Sequence, residues 1–412
     1  MAGRSPVSYS SGGLATPRPG AFAGRPRSLL TRAFARNSAL RSTDWILNAA
    51  MAGLSAIGVL LVWSATEPAL RAAGLNPRAY MEKQLAWVVI GLALMAGVSL
   101  LGGRRLQALA PAFYGATLLA LVAVLSPLGS QVNGARAWIS LPGGFQVEPS
   151  EFAKVALVLM VGRVFSESRR GVARPAAVPG LRSVLLALAC AAPLLALVAI
   201  EPALGGALVL AVVAATMIVL SGARLRVVAA LAVIVGGGIT AAGGLHLLKS
   251  YQLTRLTSFL HPHAKLSAAG YQAAQAKIAV GSGGMFGTGL FHGQVVAGNF
   301  VPSQQTDFIF TVAGEELGFV GAITIVFLLG VVIVRALRIA ARADDLFGLL
   351  VASGIAVWFG FQSFVNVGMT IGITPVTGIP LPFVSYGGSA IFADMIAIGL
   401  LQSVHRRRRV FD

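Results

Sequence analysis

Apolar runs of about 20 residues recur along the chain after position 44, each followed by a polar link. A helix of that length crosses the hydrocarbon core of a bilayer. In lipid, only helices or a closed barrel satisfy the backbone. The runs are continuous rather than alternating, which selects helices over barrel strands. Charge agrees: 11% of the 412 residues are charged, against about 25% in soluble domains. The expected fold class is an all-α polytopic membrane protein with about ten transmembrane helices in one bundle.

The spans are expected near 45–65, 84–102, 106–126, 149–165, 183–200, 203–220, 227–247, 309–334, 346–372 and 387–404. Arginine gathers in alternate links: the tail before Asp44, Arg104 and Arg105, the Arg163 to Arg182 stretch, Arg224 and Arg226, Arg335 to Arg342, and Arg406 to Arg409. This is the positive-inside pattern, and it predicts that both termini are cytoplasmic. It also explains the net charge of +18, so nucleic acid is excluded as the partner. Residues 1–43 are rich in Ser, Pro, Gly and Arg and hold no carboxylate. They are expected to form a disordered basic tail near anionic lipid, with residues 406–412 as a short basic C-terminus. The first apolar run begins near Trp45, behind that tail, and is expected to be an uncleaved anchor. Cys190 is the single cysteine and lies in an apolar run, which rules out a disulfide framework within the chain.

The long links, 127–147 and 248–308, fall on the other, outer side, so function is expected there. The second carries aromatic residues and an apolar stripe near 271–280 and is expected to form short helices rather than a free linker. It also carries Lys249, Arg255, Lys265 and Lys277, and it ends at Asp307, the only acid between positions 202 and 314. Two readings of Asp307 stand side by side. It is an N-cap or first-turn acid favoured by the helix dipole, or a functional carboxylate at a membrane boundary. A helix starting near Thr306 would put Asp307, Thr311 and Glu315 on one face. Gly314 and Gly318 would let another helix approach closely. The basic loop is either a solvated surface or a phosphate-binding patch.

Three other stretches stand out. Glu151 and Lys154, at i and i+3 just inside an apolar run, are expected to pair, since each is costly alone. The run Gly281 to Gly289 lacks the Lys-Ser/Thr ending of a phosphate loop and reads as a tight, mobile turn. Residues 373–389 hold three prolines and three glycines within an apolar setting. Irregular backbone at that depth survives only inside protein or along a cavity, so this stretch is expected to wall the same cavity as Asp307. Asp394, in the following span, lacks an obvious partner. His261 and His263 flank Pro262 without clustered acids, and read as polar loop residues.

These motifs together resemble the SEDS family (shape, elongation, division and sporulation) of peptidoglycan polymerases. The resemblance covers nearly all of the chain after the tail. It rests on Gly134-Ala135-Arg136-Ala137-Trp138-Ile139, Pro149-Ser150-Glu151-Phe152-Ala153-Lys154, Gln304-Gln305-Thr306-Asp307-Phe308-Ile309-Phe310 with Gly314-Glu315-Glu316-Leu317-Gly318, and Pro380-Leu381-Pro382-Phe383-Val384-Ser385-Tyr386-Gly387-Gly388-Ser389. Residues 368–372 and 375–380 look more like the RodA branch than the FtsW branch. The resemblance implies a ten-helix enzyme of the bacterial inner membrane that polymerises lipid II during elongation. Its implied partners are a class B penicillin-binding protein, elongation-complex proteins, the growing glycan strand and membrane lipid. Asp307 matches the family's essential aspartate, and Glu151 with Lys154 its intramembrane pair. Arg136, Lys249, Arg255, Lys265, Lys277, Thr306, Ser385 and Tyr386 are the candidates for holding substrate. A divalent cation, Mg or Mn, is an optional helper for the leaving diphosphate. The alternatives are an FtsW-type division polymerase, a lipid II flippase and a non-catalytic scaffold. One departure stands at Glu201-Pro202-Ala203-Leu204-Gly205-Gly206, where family members usually read Gln-Pro-Asp-Leu-Gly.

Overall fold

The computed structural model describes residues 42–127, 129–132, 135–141, 145–169, 179–201, 204–224, 226, 229 and 268–408. The described chain is mostly helical: α1 (Trp45–Ala72), α2 (Ala79–Leu100), α3 (Gly103–Leu125), α4 (Pro149–Ser168), α5 (Leu181–Ile200), α6 (Leu204–Leu220), α7 (Ala268–Ser282), α8 (Gln294–Ala297), α9 (Ile309–Glu316), α10 (Gly318–Ala341), α11 (Leu346–Ile371) and α12 (Gly388–Arg408). Seven described helices are long and apolar enough to cross a membrane: α1, α2, α3, α5, α10, α11 and α12. The expected span at 227–247 lies outside the described residues, as do Lys249, Arg255, Lys265, His261 and His263.

Side-chain chemistry sets the helix ends. Asp44 caps α1 by accepting from the Leu47 amide at 3.1 Å, and Asp345 caps α11 by accepting from the Gly348 amide at 2.8 Å. Pro149 opens α4 at a position where its missing N–H costs nothing. Gly372 ends α11 in the left-handed region, φ 81°.

Burial separates a centre from a rim. The most apolar windows of α11 and α12 are 72% and 83% buried inside the protein, against 17–22% for α2, α3 and α10. The latter three therefore present their outward faces to lipid. Helix α4, central and almost wholly buried, packs on α3, α5, α6, α11 and α12. The start of α1 meets the end of α12: the Asp44 amide donates to Gln402 at 2.9 Å and Arg406 donates to Thr43 at 3.0 Å. Both ends of the helical body thus lie at one end of the bundle.

Two expectations need correction. The fold is not purely helical, because the link after α3 forms an antiparallel sheet of β1 (Gly129–Val132), β2 (Ala135–Leu141) and β3 (Phe145–Val147) in sequential order. Ile139 pairs with Gly129 on one side and Val147 on the other. The span expected over 309–334 is also broken. Gly318, at φ 67°, ends α9 and starts α10 on a new axis.

The Gly281–Gly289 run is a tight turn, and it is clamped to that break. Gly284, Gly287 and Gly289 have positive φ. The first amides of α10, those of Phe319 and Val320, donate to the carbonyls of Gly284 and Met285 at 2.9 and 3.1 Å. A Cβ on Gly287 would stand 2.1 Å from the Glu316 carbonyl oxygen, so only glycine fits.

Candidate active site

Asp307 lies in a turn, two residues before α9, and is half-buried. The N-cap of α9 is Phe308, which makes no side-chain capping bond. Asp307 is thus not itself the N-cap residue, and the helix does not start at Thr306. Glu315 does not share a site with Asp307: its carboxylate accepts from the Val295 and Val296 amides at 2.8 and 3.2 Å, closing the first turn of α8. Glu316 accepts from the Ser64 hydroxyl at 2.6 Å. Both acids anchor the segment between α7 and α9. Gly314 packs against Val280 of α7.

The Asp307 turn is fixed from two directions. From α11, the fully buried Asn366 donates from one amide nitrogen to the Asp307 carbonyl at 2.8 Å and the Ile379 carbonyl at 2.7 Å. From the irregular segment 372–387, the Ser385 hydroxyl donates to the Thr306 carbonyl at 2.6 Å, and the Tyr386 amide donates to the Gln305 carbonyl at 2.9 Å. The structure thus joins the two stretches that the sequence suggested share a cavity. Buried hydrogen bonds of this kind also answer how broken backbone survives at such depth.

Five of the substrate candidates lie among the described residues. The Ser385 hydroxyl also accepts from the Leu381 amide at 2.7 Å, and that of Thr306 donates to the Ser303 carbonyl at 3.0 Å. Both hydroxyls are therefore committed to shaping the backbone. The Tyr386 ring stacks near Tyr80 at 4.8 Å and Trp87 at 4.9 Å, forming an aromatic wall on α2. Burial, then Tyr80, pushes its phenol above the ordinary value. Lys277 lies over Gly372 at the C-terminus of α11, where a cation suits the helix dipole. Arg136 belongs to β2, opposite Gln131.

Glu151 and Lys154 form an ion pair at 2.7 Å. Lys154 also donates to Gln362 at 2.9 Å and sits 4.9 Å from the Trp358 ring centre. Gln362 in turn donates to the Pro380 carbonyl at 2.7 Å. The pair is thus wired to the irregular segment. The partner of Asp394 is the Phe383 amide, which donates to it at 3.1 Å. Phe383 is a non-glycine residue at φ 64°, held in that uncommon conformation by the segment's contacts.

Two further carboxylates were not among the site candidates, although Glu201 stood out in the sequence as a departure from the family pattern. Glu148, just before α4, accepts from the Ser150 hydroxyl at 2.8 Å. Burial, then the Glu151 and Asp307 charges, push it up to about 7 against the opposing pull of Ser150 and Lys154. Glu201, at the end of α5, is buried, and neither carboxylate oxygen has a described partner. Burial first, then Glu148, push it up to about 8. Glu201 is thus mostly protonated at neutral pH and resembles the glutamine that the family usually carries there. The available signal was three acids, Glu148, Glu201 and Asp307, each at or next to the end of a helix.

Comparison with known proteins agrees with the geometry. The FTSW_RODA_SPOVE family model, described as "Cell cycle protein", matches residues 44–410. The chain belongs to this family. It is 35% identical to the peptidoglycan glycosyltransferase MrdB of Escherichia coli K12, over 86% of this chain and 90% of MrdB. It is 34% identical to a probable peptidoglycan glycosyltransferase FtsW of Trichlorobacter lovleyi, over 89% and 93%. A solved peptidoglycan synthase complex that coordinates polymerization and crosslinking contains a chain with TM-score 0.72 and 31% identity, covering 89% of this chain and 98% of that one. The protein is a multi-pass membrane protein of the bacterial inner membrane.

Proposed function

We propose that the protein is a peptidoglycan glycosyltransferase that polymerises lipid II into glycan strands, with Asp307 as general base. The observation that carries this reading is the placement of Asp307. It is a half-buried carboxylate in a turn just before α9 that two separate elements hold in place. A fixed base beside the acceptor contributes roughly 10²–10⁴-fold in rate.

In the proposed step, the 4-hydroxyl of one lipid II sugar loses its proton to the Asp307 carboxylate. Its oxygen forms a bond to the anomeric carbon of a second lipid-linked sugar. The bond from that carbon to the diphosphate oxygen breaks, and the diphosphate lipid departs with the electron pair. One displacement converts an α-linked donor into a β-linked product, so no covalent enzyme intermediate is needed. Arg136, Lys249, Arg255, Lys265 and Lys277 are proposed to meet the diphosphate's charge. Among the described residues, no group of three or more His, Cys, Asp or Glu is arranged to hold a metal ion. A Mg-type cation is usually held by one or two carboxylates together with substrate phosphates, so a divalent cation stays an optional helper for the leaving diphosphate, and no step passes through one.

Ten spans with both termini cytoplasmic, a class B penicillin-binding protein as partner and a role in elongation complete the proposal. The RodA-like residues 368–372 and 375–380 support the elongation role. Identities of 35% to MrdB and 34% to a probable FtsW do not separate the two branches. The test uses purified protein in sealed vesicles with labelled lipid II, with and without a cognate transpeptidase. Glycan polymer is expected. Lipid movement across the bilayer without polymer would overturn the enzyme reading in favour of a flippase.

A further inference from the structure

Asp394 of α12 is a buried acid to which the step described above gives no part. It is 1% exposed, and a carboxylate inside a membrane is costly. The charged groups that act on it are Lys154 and Glu151. Those two already pair with each other at 2.7 Å, so Lys154 has its counter-charge without Asp394. The hydrogen bond that Asp394 makes is to the Phe383 amide, which donates to Oδ2 at 3.1 Å. Its Oδ1 has no hydrogen-bond partner among the described residues.

Phe383 stands where a turn is hardest to build. Residues Leu381 to Val384 form a four-residue turn, closed by the Val384 amide donating to the Leu381 carbonyl at 3.2 Å. Pro382 is second in it, and Phe383 is third, at φ 64°. Glycine usually takes that third place, because a side chain is strained there. Here glycine would forfeit a buried ring that meets the Phe359 ring edge-on at 5.1 Å. The closing bond uses the fourth amide, so the third must find its acceptor elsewhere. Asp394 supplies that acceptor and fixes the direction of the amide. Helix α1 confines the other side of the turn: a Cβ on Gly58 would stand 2.6 Å from the Val384 carbonyl oxygen.

The same turn reaches the segment that carries Asp307. The Ser385 hydroxyl accepts from the Leu381 amide at 2.7 Å and donates to the Thr306 carbonyl at 2.6 Å. The Tyr386 amide donates to the Gln305 carbonyl at 2.9 Å. A continuous route thus runs from Asp394 through Phe383 and Ser385 to the residue before Asp307.

We propose that Asp394 is a positioning residue for the glycosyl transfer. As an acceptor it locks Phe383 in the left-handed region, and the locked turn sets Ser385 and Tyr386 against the backbone that carries Asp307. This role rests on Asp307 being the general base. It belongs to the oxygen of Asp394 as an acceptor and not to its charge.

The test compares Asp394→Leu and Asp394→Asn in reconstituted full-length protein, by polymerisation kinetics and by amide hydrogen exchange. Asp394→Leu keeps the bulk and loses the acceptor. It is expected to lower kcat roughly tenfold, about 1.4 kcal/mol, with KM unchanged, because a displaced base weakens only the transition state. Asp394→Asn keeps the acceptor without the charge and should retain most of the wild-type rate. Ser385→Ala cuts the same route one link later and should reproduce the kcat loss, so it carries the test if Asp394→Leu does not fold. In the double variant the two losses should not add, since both lie on one route. Exchange of the Phe383 and Tyr386 amides should rise in Asp394→Leu and stay at the wild-type level in Asp394→Asn. Asp394→Asn as slow as Asp394→Leu would overturn the proposal in favour of a charge role toward Lys154. Wild-type kcat in Asp394→Leu or in Ser385→Ala, or unchanged exchange at Phe383 and Tyr386 in Asp394→Leu, would also overturn it. Exchange is independent of the chemistry: if Asp307→Asn polymerises like the wild type, the general-base reading fails, while exchange still decides whether Asp394 holds the turn.

Discussion

The two ends of α4 solve opposite problems. At the Glu148 end, carboxylates crowd together: Glu148 feels Glu151, Asp307 and Glu201. Irregular backbone there is stitched by buried side chains such as Asn366 and Ser385. At the Glu167 end, arginines crowd around regular helix termini, and two of them are matched by acids. The first arrangement stores charge and shape where regular helices would leave no room for a substrate. The second leaves one cation without an acid. Chemistry is expected where backbone regularity has been given up.

Apart from Asp307 itself, the largest effect should come from breaking the pair that supports the irregular end. Glu151→Gln leaves the Lys154 ammonium buried without its counter-charge, a loss of about 3–5 kcal/mol in comparable buried pairs. A sharply lower melting temperature and little folded protein are expected. A variant as stable as the wild type would show that Gln362 and Trp358 alone can hold Lys154.

Asn366→Ala comes next. It removes both bonds that tie the Asp307 turn to Ile379, at a cost of about 1–3 kcal/mol for the buried acceptors left behind. Polymerisation is expected to fall at least tenfold, roughly 1.4 kcal/mol, in protein that still folds. Unchanged polymerisation would mean that Ser385 and Tyr386 suffice to place Asp307.

The smallest effect on polymerisation is expected at Glu201. Its carboxyl is raised from 4.5 to about 8. The unfolded chain therefore loses this proton first, and Glu201 lowers stability progressively as pH rises from about 4.5 to about 8. Glu201→Gln should melt like the wild type near pH 5 and a few degrees higher near pH 8. Equal melting at both pH values would contradict the raised value. Polymerisation near neutral pH should change little, since the protonated acid and the amide present the same shape.

Much of this was legible in the sequence because it depends on local pattern. Continuous apolar runs located the helices, and the Glu151–Lys154 spacing located an ion pair that the structure holds at 2.7 Å. The prolines and glycines of 373–389 marked a backbone that must be buried, and it does touch the Asp307 turn. What stayed hidden depends on approach between distant positions. Nothing near Asp394 in sequence reveals that Phe383 bends back to it, and nothing near Glu201 reveals Glu148. The sheet after α3 was missed because a three-residue strand such as Phe145–Val147 carries too little periodicity to read. The break at Gly318 was missed because glycine is common inside transmembrane helices, and only its positive φ distinguishes it.

The most direct measurement is the rate of glycan polymer formation from labelled lipid II by Asp307→Asn, at matched melting temperature. Removing the base while keeping the shape should slow polymerisation by about 10²–10⁴-fold in a folded, membrane-reconstituted protein. Polymer appearing at the wild-type rate would contradict the assignment of Asp307 as the general base.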